Sequence, residues 1–226
     1  MNFLAIEGLD GAGKSTQVSL LEKHLMGQGI RTKYMHFPRV DTGVFGDLIA
    51  RFLRGDLGKI NEVNPYLVAL IFAEDRRVAA EQIKTWLREG YFVVVDRYVY
   101  SNIAFQCAKI QGNEAERRAL RNWILKLEYE VFKIPQPQLS LFLDVPFEFI
   151  TARLTEHRSG TSREYLEGKQ DIHEASLDFQ QLVRKGYLEQ QPLDSTFRVV
   201  ACANENGCMM QPASTFEKIK LLLETL

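Results

Sequence analysis

Apolar residues along this chain fall into short unbroken runs, separated by longer stretches in which they recur every three or four positions. NFLAIE at 2–7, RTKYMHF at 31–37, YFVVV at 91–95, QLSLFL at 138–143 and TFRVVA at 196–201 have the length and the β-branched or aromatic content of strands. Between them the spacing predicts helices over 14–28, 43–54, 64–89, 98–110, 114–133, 146–157, 171–191 and 213–225. Gly29 and Gly90 are placed to end two of these. Strand and helix alternate from end to end without an internal repeat, so the expected fold is α/β: a three-layer α/β/α sandwich around a five-stranded parallel sheet. The nearly continuous apolar character of YFVVV fits a strand covered by helices on both faces.

Composition narrows this picture by exclusion. With 226 residues and 46% hydrophobic content, the chain can bury one substantial core, and a single domain over 1–226 is expected. The 28 basic and 29 acidic residues leave a net charge of −1, so no global basic field recruits nucleic acid or an anionic membrane. The opening MNFLAIEGLDG carries no basic leader, and no apolar stretch approaches membrane-spanning length; a cytoplasmic location without a membrane partner is expected. Cys107, Cys202 and Cys208 are odd in number and lack metal-ligand spacing, which suits reduced thiols without assigned chemistry.

Residues 8–15, Gly8-Leu9-Asp10-Gly11-Ala12-Gly13-Lys14-Ser15, satisfy the phosphate-loop pattern G-x-x-x-x-G-K-[ST] between a strand and a helix. Gly8 and Gly13 let successive N–H groups turn into one concavity, Lys14 adds charge for the outer phosphates, and Ser15 offers its hydroxyl to Mg²⁺. The helix that follows, with Thr16 in its first turn, points its dipole at the same anion. The chain is therefore expected to bind a nucleoside triphosphate on a fold of the P-loop NTPase type. In such sheets ligands sit beyond the carboxyl ends of the strands. That edge receives the phosphate loop, Phe37-Pro38-Arg39, Asp96-Arg97-Tyr98 and Asp144-Val145-Pro146. Asp96 stands where a carboxylate helps hold Mg²⁺ beside Ser15, although it could also cap the next helix. Arg97 can grip a phosphate bidentately, or lie solvated at the surface.

The motifs taken together, GLDGAGKST, FPR after the second strand, LIFAEDR at 70–76, DRYVYSNIAFQ at 96–106, FLDVP at 142–146 and a basic segment before 171, resemble the thymidylate kinase family from residue 3 to about 190. The resemblance implies Mg²⁺-dependent transfer of a phosphoryl group from ATP to dTMP by a homodimer. It implies that Phe72 stacks on thymine, that Arg76 donates to its exocyclic oxygen, that Ser101 and Asn102 read the base, and that Phe105 crowds the 2′ position of the sugar. Asp10 would approach the 3′-hydroxyl, and Arg39 and Arg97 would take the acceptor phosphate. Phe72 and Phe105 could instead be core residues, and Arg76 one of a surface pair with Arg77. Gly11 stands where some relatives carry an arginine that reaches the transferring phosphate, so another arginine is needed. The segment of about 153–170 resembles a lid over ATP, with Arg158 or Arg163 in that role and Arg153 near the adenine. Tyr165 corresponds loosely to a lid tyrosine, and Asp171 with Glu174 reads as the cap of helix 171–191. Tyr98 and Tyr100 read as structural, and residues 202–212 match no motif.

A phosphate acceptor is already anionic near neutral pH, its second pKa being about 6, so no general base is demanded. Alternatives on the same residues are another nucleoside monophosphate or deoxynucleoside kinase, or a P-loop nucleotide-binding regulator. Against the regulator, the chain has no guanine-specifying NKxD sequence and carries an arginine-rich segment suited to transfer.

Overall fold

Each of the five apolar runs forms a strand: β1 (Phe3–Glu7), β2 (Thr32–His36), β3 (Phe92–Asp96), β4 (Leu139–Asp144) and β5 (Phe197–Ala201). This computed structural model describes residues 2–155, 161–169, 171–174 and 176–224. The strands make one parallel sheet in the order β2-β3-β1-β4-β5, with Ile6 and His36 both in register with Asp96. Helices α1 (Lys14–Gly27), α2 (Gly43–Leu53), α3 (Pro65–Arg88), α4 (Val99–Cys107), α5 (Glu114–Leu125), α6 (Phe147–Thr155), α7 (Leu177–Leu188) and α8 (Pro212–Glu224) fill the connections.

Every residue of β1 and β3 is buried, which requires cover on both faces and explains their unbroken apolar sequence. Helices α1 and α8 pack together, while α3, α4, α5 and α7 form a second group. Val93, Val94 and Val95 have no exposed surface, and each contributes about 1.5–3 kcal/mol by leaving water. Helix α1 leaves β1 toward one edge of the sheet, whereas the chain leaves β3 toward the other, so a crevice opens between their carboxyl ends. Gly29 and Gly90 end α1 and α3 at φ of +77° and +76°, as their positions predict. No helix among the described residues is long and apolar enough to cross a membrane.

Three helix boundaries depart from the periodicity. The run 114–133 is α-helical only to Leu125 and continues as a π-helical stretch, Lys126–Val131, in which Glu128 is wholly buried against Arg76. Helix 98–110 stops at Cys107, leaving Lys109 and Ile110 in a turn. The helix expected at 171 begins at Leu177 instead, where the Ser176 hydroxyl accepts from Phe179 N. Asp171 does not cap it: its carboxylate accepts from His173 N at 2.8 Å and its carbonyl from Glu174 N, closing a turn that lies over the crevice.

The turn after α4 places the Lys109 ammonium 4.6 Å from the centre of the Phe52 ring, buried and without a hydrogen-bond partner among the described residues. Burial pulls its pKa from 10.5 down to about 7. Between those values the unfolded chain holds more protons than the folded one, so this group makes stability rise with pH. Lys109→Met should raise the melting temperature most below pH 7, with the advantage shrinking as pH climbs toward 10.5. Thermal melts of both proteins across that range measure it.

Candidate active site

The phosphate loop is shaped by two different properties of glycine. Gly11 and Gly13 both hold φ of +82°, a left-handed conformation that L side chains resist, and Gly13 directly precedes α1. Gly8 instead relieves crowding, since a Cβ there would lie 3.2 Å from Ala12 Cβ and 3.3 Å from Lys14 Cγ and those neighbours would have to give by a few tenths of an ångström. The first turn of α1 holds no acidic residue, so its N-terminus is left positive for an anion. Lys14 donates to the carbonyls of Gly8 and Leu9 at 3.3 and 3.1 Å. Its ammonium lies 3.9 Å from Asp96 Oδ1. Burial, aided by repulsion from Arg97, lowers its pKa.

Asp96 ends β3 almost buried, with Oδ2 accepting from Tyr34 Oη at 3.4 Å and lying 3.5 Å from His36 Nδ1. Burial opposes its charge, yet Lys14, His36 and Arg97 together hold its pKa below the ordinary value. Arg97 follows at φ +65°, a strained conformation for a non-glycine residue, costing about 1–3 kcal/mol, that persists where its surroundings fix it. Its N–H donates to Ile6 O at 2.9 Å, and its guanidinium donates to Asp10 Oδ1 at 2.9 Å, Ser101 Oγ at 3.2 Å and Tyr187 Oη at 3.4 Å. Burial works against this cation, but Asp10 and the groups around it raise its pKa above the usual arginine value.

Behind Arg97 stands Glu7, the last residue of β1, with no exposed surface. Its carboxylate accepts from Tyr98 N at 3.0 Å, Ser101 Oγ at 2.5 Å and Tyr187 Oη at 3.3 Å. Burial raises its pKa against the pull of Ser101 and Arg97. Neither Glu7 nor Tyr187 stands out in the sequence: the first reads as the end of a strand, the second as one more apolar position of a helix. Ser101, expected at the base, has its hydroxyl taken up by Glu7, Tyr187 and Arg97.

Asp10, Asp96, Arg97 and Ser101 line one side of a cavity of about 890 Å³ that also receives Arg39, Phe72, Arg76, Asn102, Phe105, Tyr165, Asp171 and His173. Arg39 is pinned by Asp75, through its own N–H and Nε at 2.9 Å each, so the FPR register does bring it to the cavity. Arg76 is 2% exposed and donates through Nε and Nη2 to Glu128 at 2.5 and 2.7 Å. Asn102 Nδ2 donates to Ala69 O and Glu128 Oε1 at 3.0 and 3.1 Å, which fixes the amide and leaves Oδ1 without a donor among the described residues. His173 lies among the rings of Phe52, Phe72, Phe105 and Phe179, and burial drops its pKa far below the ordinary value. Burial and the Asp10 charge push the Asp171 carboxyl up to about 7.

A second cavity, of about 670 Å³, runs from Gly11–Gln17 to Phe149, Arg153, Met209–Pro212 and Thr215. Arg153 lies over the Phe149 ring at 5.3 Å. The strip 209–212, silent in sequence, is tied to α1 by Gln17 Nε2, which donates to Pro212 O at 3.0 Å. Ser15 and Asp96 border both cavities, so the two meet at the phosphate loop. Arg158 lies outside the described residues. Arg163 belongs to the 3₁₀ segment Thr161–Leu166, and its side chain is likewise outside what is described. Among the described residues no group of three or more His, Cys, Asp or Glu could hold a metal alone. Ser15 and Asp96 offer hard oxygen donors of the kind Mg²⁺ takes when phosphates and water complete its shell, and among the described residues none donates a hydrogen bond to the buried Asp96 Oδ1.

A phosphate loop at the head of a parallel sheet, with two nucleotide-sized cavities meeting at Ser15 and Asp96, defines a P-loop kinase. The family model described as thymidylate kinase matches residues 6–211. Thymidylate kinase from Mycobacterium tuberculosis is 32% identical over 187 residues, covering 82% of this chain and 84% of that protein. A probable thymidylate kinase from Pyrobaculum aerophilum is 35% identical over 185 residues, covering 78% and 82%. The solved structure of thymidylate kinase from Candida albicans superposes with a TM-score of 0.73 at 27% identity, over 98% of this chain and 90% of the other. The chain belongs to the thymidylate kinase family.

Because Arg76 is almost entirely buried, Glu128 is its counter-charge as well as its hydrogen-bond acceptor. Removing one partner of such a pair strands the other's charge, so Glu128→Leu should lower the unfolding free energy by about 3–5 kcal/mol in denaturant titration.

Proposed function

We propose that the protein transfers the γ-phosphoryl group of MgATP to dTMP, giving dTDP and ADP, as a single kinase domain. The observation that carries this reading is the meeting of the two cavities at Ser15 and Asp96, with Arg97 and Asp10 on the acceptor side. The second cavity takes ATP: residues 8–16 wrap the phosphates, and Arg153 with the strip 209–212 flanks the adenine. The larger cavity takes dTMP. Phe72 gives a face for the ring, Arg76 a fixed cation at its edge, and Asn102 Oδ1 an acceptor for the N3–H of thymine, while Phe105 occupies the space beside the sugar.

An acceptor phosphate oxygen forms a bond to the γ-phosphorus as the bond to the β,γ-bridging oxygen breaks, and ADP leaves. The acceptor oxygen is already anionic, so no side chain has to remove a proton; alignment and charge neutralisation do the work. Arg97 is strained into place and held between Asp10 and the Glu7 network, which keeps a full cation at the acceptor phosphate without reorganisation during transfer. Arg39, set by Asp75, supplies a second cation, and Lys14 one on the donor side. Mg²⁺, held by Ser15 and Asp96, would offset charge on the donor phosphates. The lid arginine of the transfer is Arg158 or Arg163 in this proposal, and α3, with Leu67 and Val78 exposed, is the surface for a second copy.

An ADP-release assay with MgATP across dTMP, dUMP, dCMP, dGMP and AMP tests the reading. Turnover should favour dTMP strongly, and Arg97→Ala should cut it by about a hundredfold or more. Equal turnover of all five acceptors, or an Arg97→Ala enzyme of wild-type rate, would contradict it.

A further inference from the structure

One wall of the larger cavity is fastened from outside. Tyr165 and Asp171 belong to the segment that leads into α7, yet the chain around them is held by the C-terminal end of α2. Arg54 Nη1 donates to Tyr165 O at 2.8 Å and lies 3.1 Å from Glu167 Oε1, while its Nε donates to Asp56 at 2.8 Å. Asp56 in turn receives Lys169 Nζ at 2.6 Å, and Ile172 N donates to Leu53 O at 3.0 Å. Gly55 fits beneath this join: a Cβ there would stand 3.2 Å from Ile172 Cγ2. From the fastened backbone, the Tyr165 hydroxyl reaches Asp171 Oδ2 at 3.1 Å, and both residues face the cavity.

We propose that Arg54 is a positioning residue for the acceptor nucleotide: it never touches the ligand but sets the wall that Tyr165 and Asp171 present to it. This rests on the reading of the larger cavity as the acceptor site. Ion pairs near the surface contribute little to stability, so holding the fold together is a poor account of four polar links from this segment converging on one helix end. Position is a better one, because a displacement of about 1 Å in a binding wall is enough to degrade productive geometry by large factors. The donor cavity does not border Arg54, Asp56, Tyr165 or Asp171, so the effect belongs to one substrate.

Steady-state kinetics on the whole chain separate the possibilities, with KM for dTMP and for ATP measured in wild type, Arg54→Met, Arg54→Lys and Asp56→Asn. Arg54→Met should raise the dTMP KM roughly fivefold or more, leave the ATP KM unchanged and keep kcat within about twofold, since the acting cations stay in place. Arg54→Lys, which can still reach the Tyr165 carbonyl or one carboxylate, should recover part of the loss, and Asp56→Asn should shift the dTMP KM in the same direction. If Arg54→Met does not fold, the other two variants are read by the same criterion. A dTMP KM unchanged across the variants, or an equal rise for ATP, would overturn the proposal while leaving the thymidylate kinase reading intact. A wild-type enzyme that turns over no dTMP would overturn both.

Discussion

A carboxylate sealed from solvent, Glu7, holds the working edge of this molecule together. It ends the central strand β1, receives the backbone N–H that follows Arg97, and takes the hydroxyls of Ser101 from α4 and Tyr187 from α7. A buried carboxylate without donors would be costly, and here three donors and a neighbouring guanidinium offset part of the desolvation. The same hydroxyls accept from Arg97, so the arginine is braced by Glu7 on one side and by Asp10 on the other. The backbone strain at Arg97 is the local consequence of making that fit. Sheet, two helices and phosphate loop are thereby tied to the orientation of a single cation.

The electrostatics of the edge follow from this arrangement. Lys14, Arg39 and Arg97 each have a fixed anionic neighbour, Asp96, Asp75 and Asp10 respectively, which keeps them in place before any phosphate arrives. A ligand phosphate meets cations whose orientation is already set, and for Lys14, which now donates to loop carbonyls, it offers a better acceptor than a neutral oxygen. At the far end of the larger cavity the polar groups are spaced more sparsely: Arg76 and Asn102 share Glu128, and aromatic rings fill the rest. Charge at one end and ring faces at the other suit a nucleoside monophosphate lying along the cavity.

Much of this was legible in the sequence, because the features that carry it are local. Strand lengths, the alternation of elements, the phosphate loop and the Asp96-Arg97 pair depend on neighbours in the chain, and the sheet and the site place them where the pattern puts them. What escaped depends on partners far along the chain. Glu7 looks like an ordinary strand terminus until Tyr187, 180 residues later, reaches it. Glu128 sits in a stretch with good helical spacing, and only the need to meet Arg76 shows that the helix is π-wound there. Asp171 has the spacing of a capping box, yet its carboxylate is satisfied two residues on, because the segment lies over a cavity and does not start a helix. Met209–Pro212 has no periodicity to read, and its place beside the phosphate loop follows from the tie between Gln17 and Pro212.

The most direct test of the account is a crystal structure of the protein with dTMP and MgADP bound together. The account predicts the thymine ring against Phe72 with its edge at Arg76 and Asn102, the dTMP phosphate between Arg39 and Arg97, and ADP along the phosphate loop toward Arg153 and 209–212. A dTMP phosphate bound away from Arg97, or a thymine seated outside the Phe72–Phe105 cavity, would contradict it.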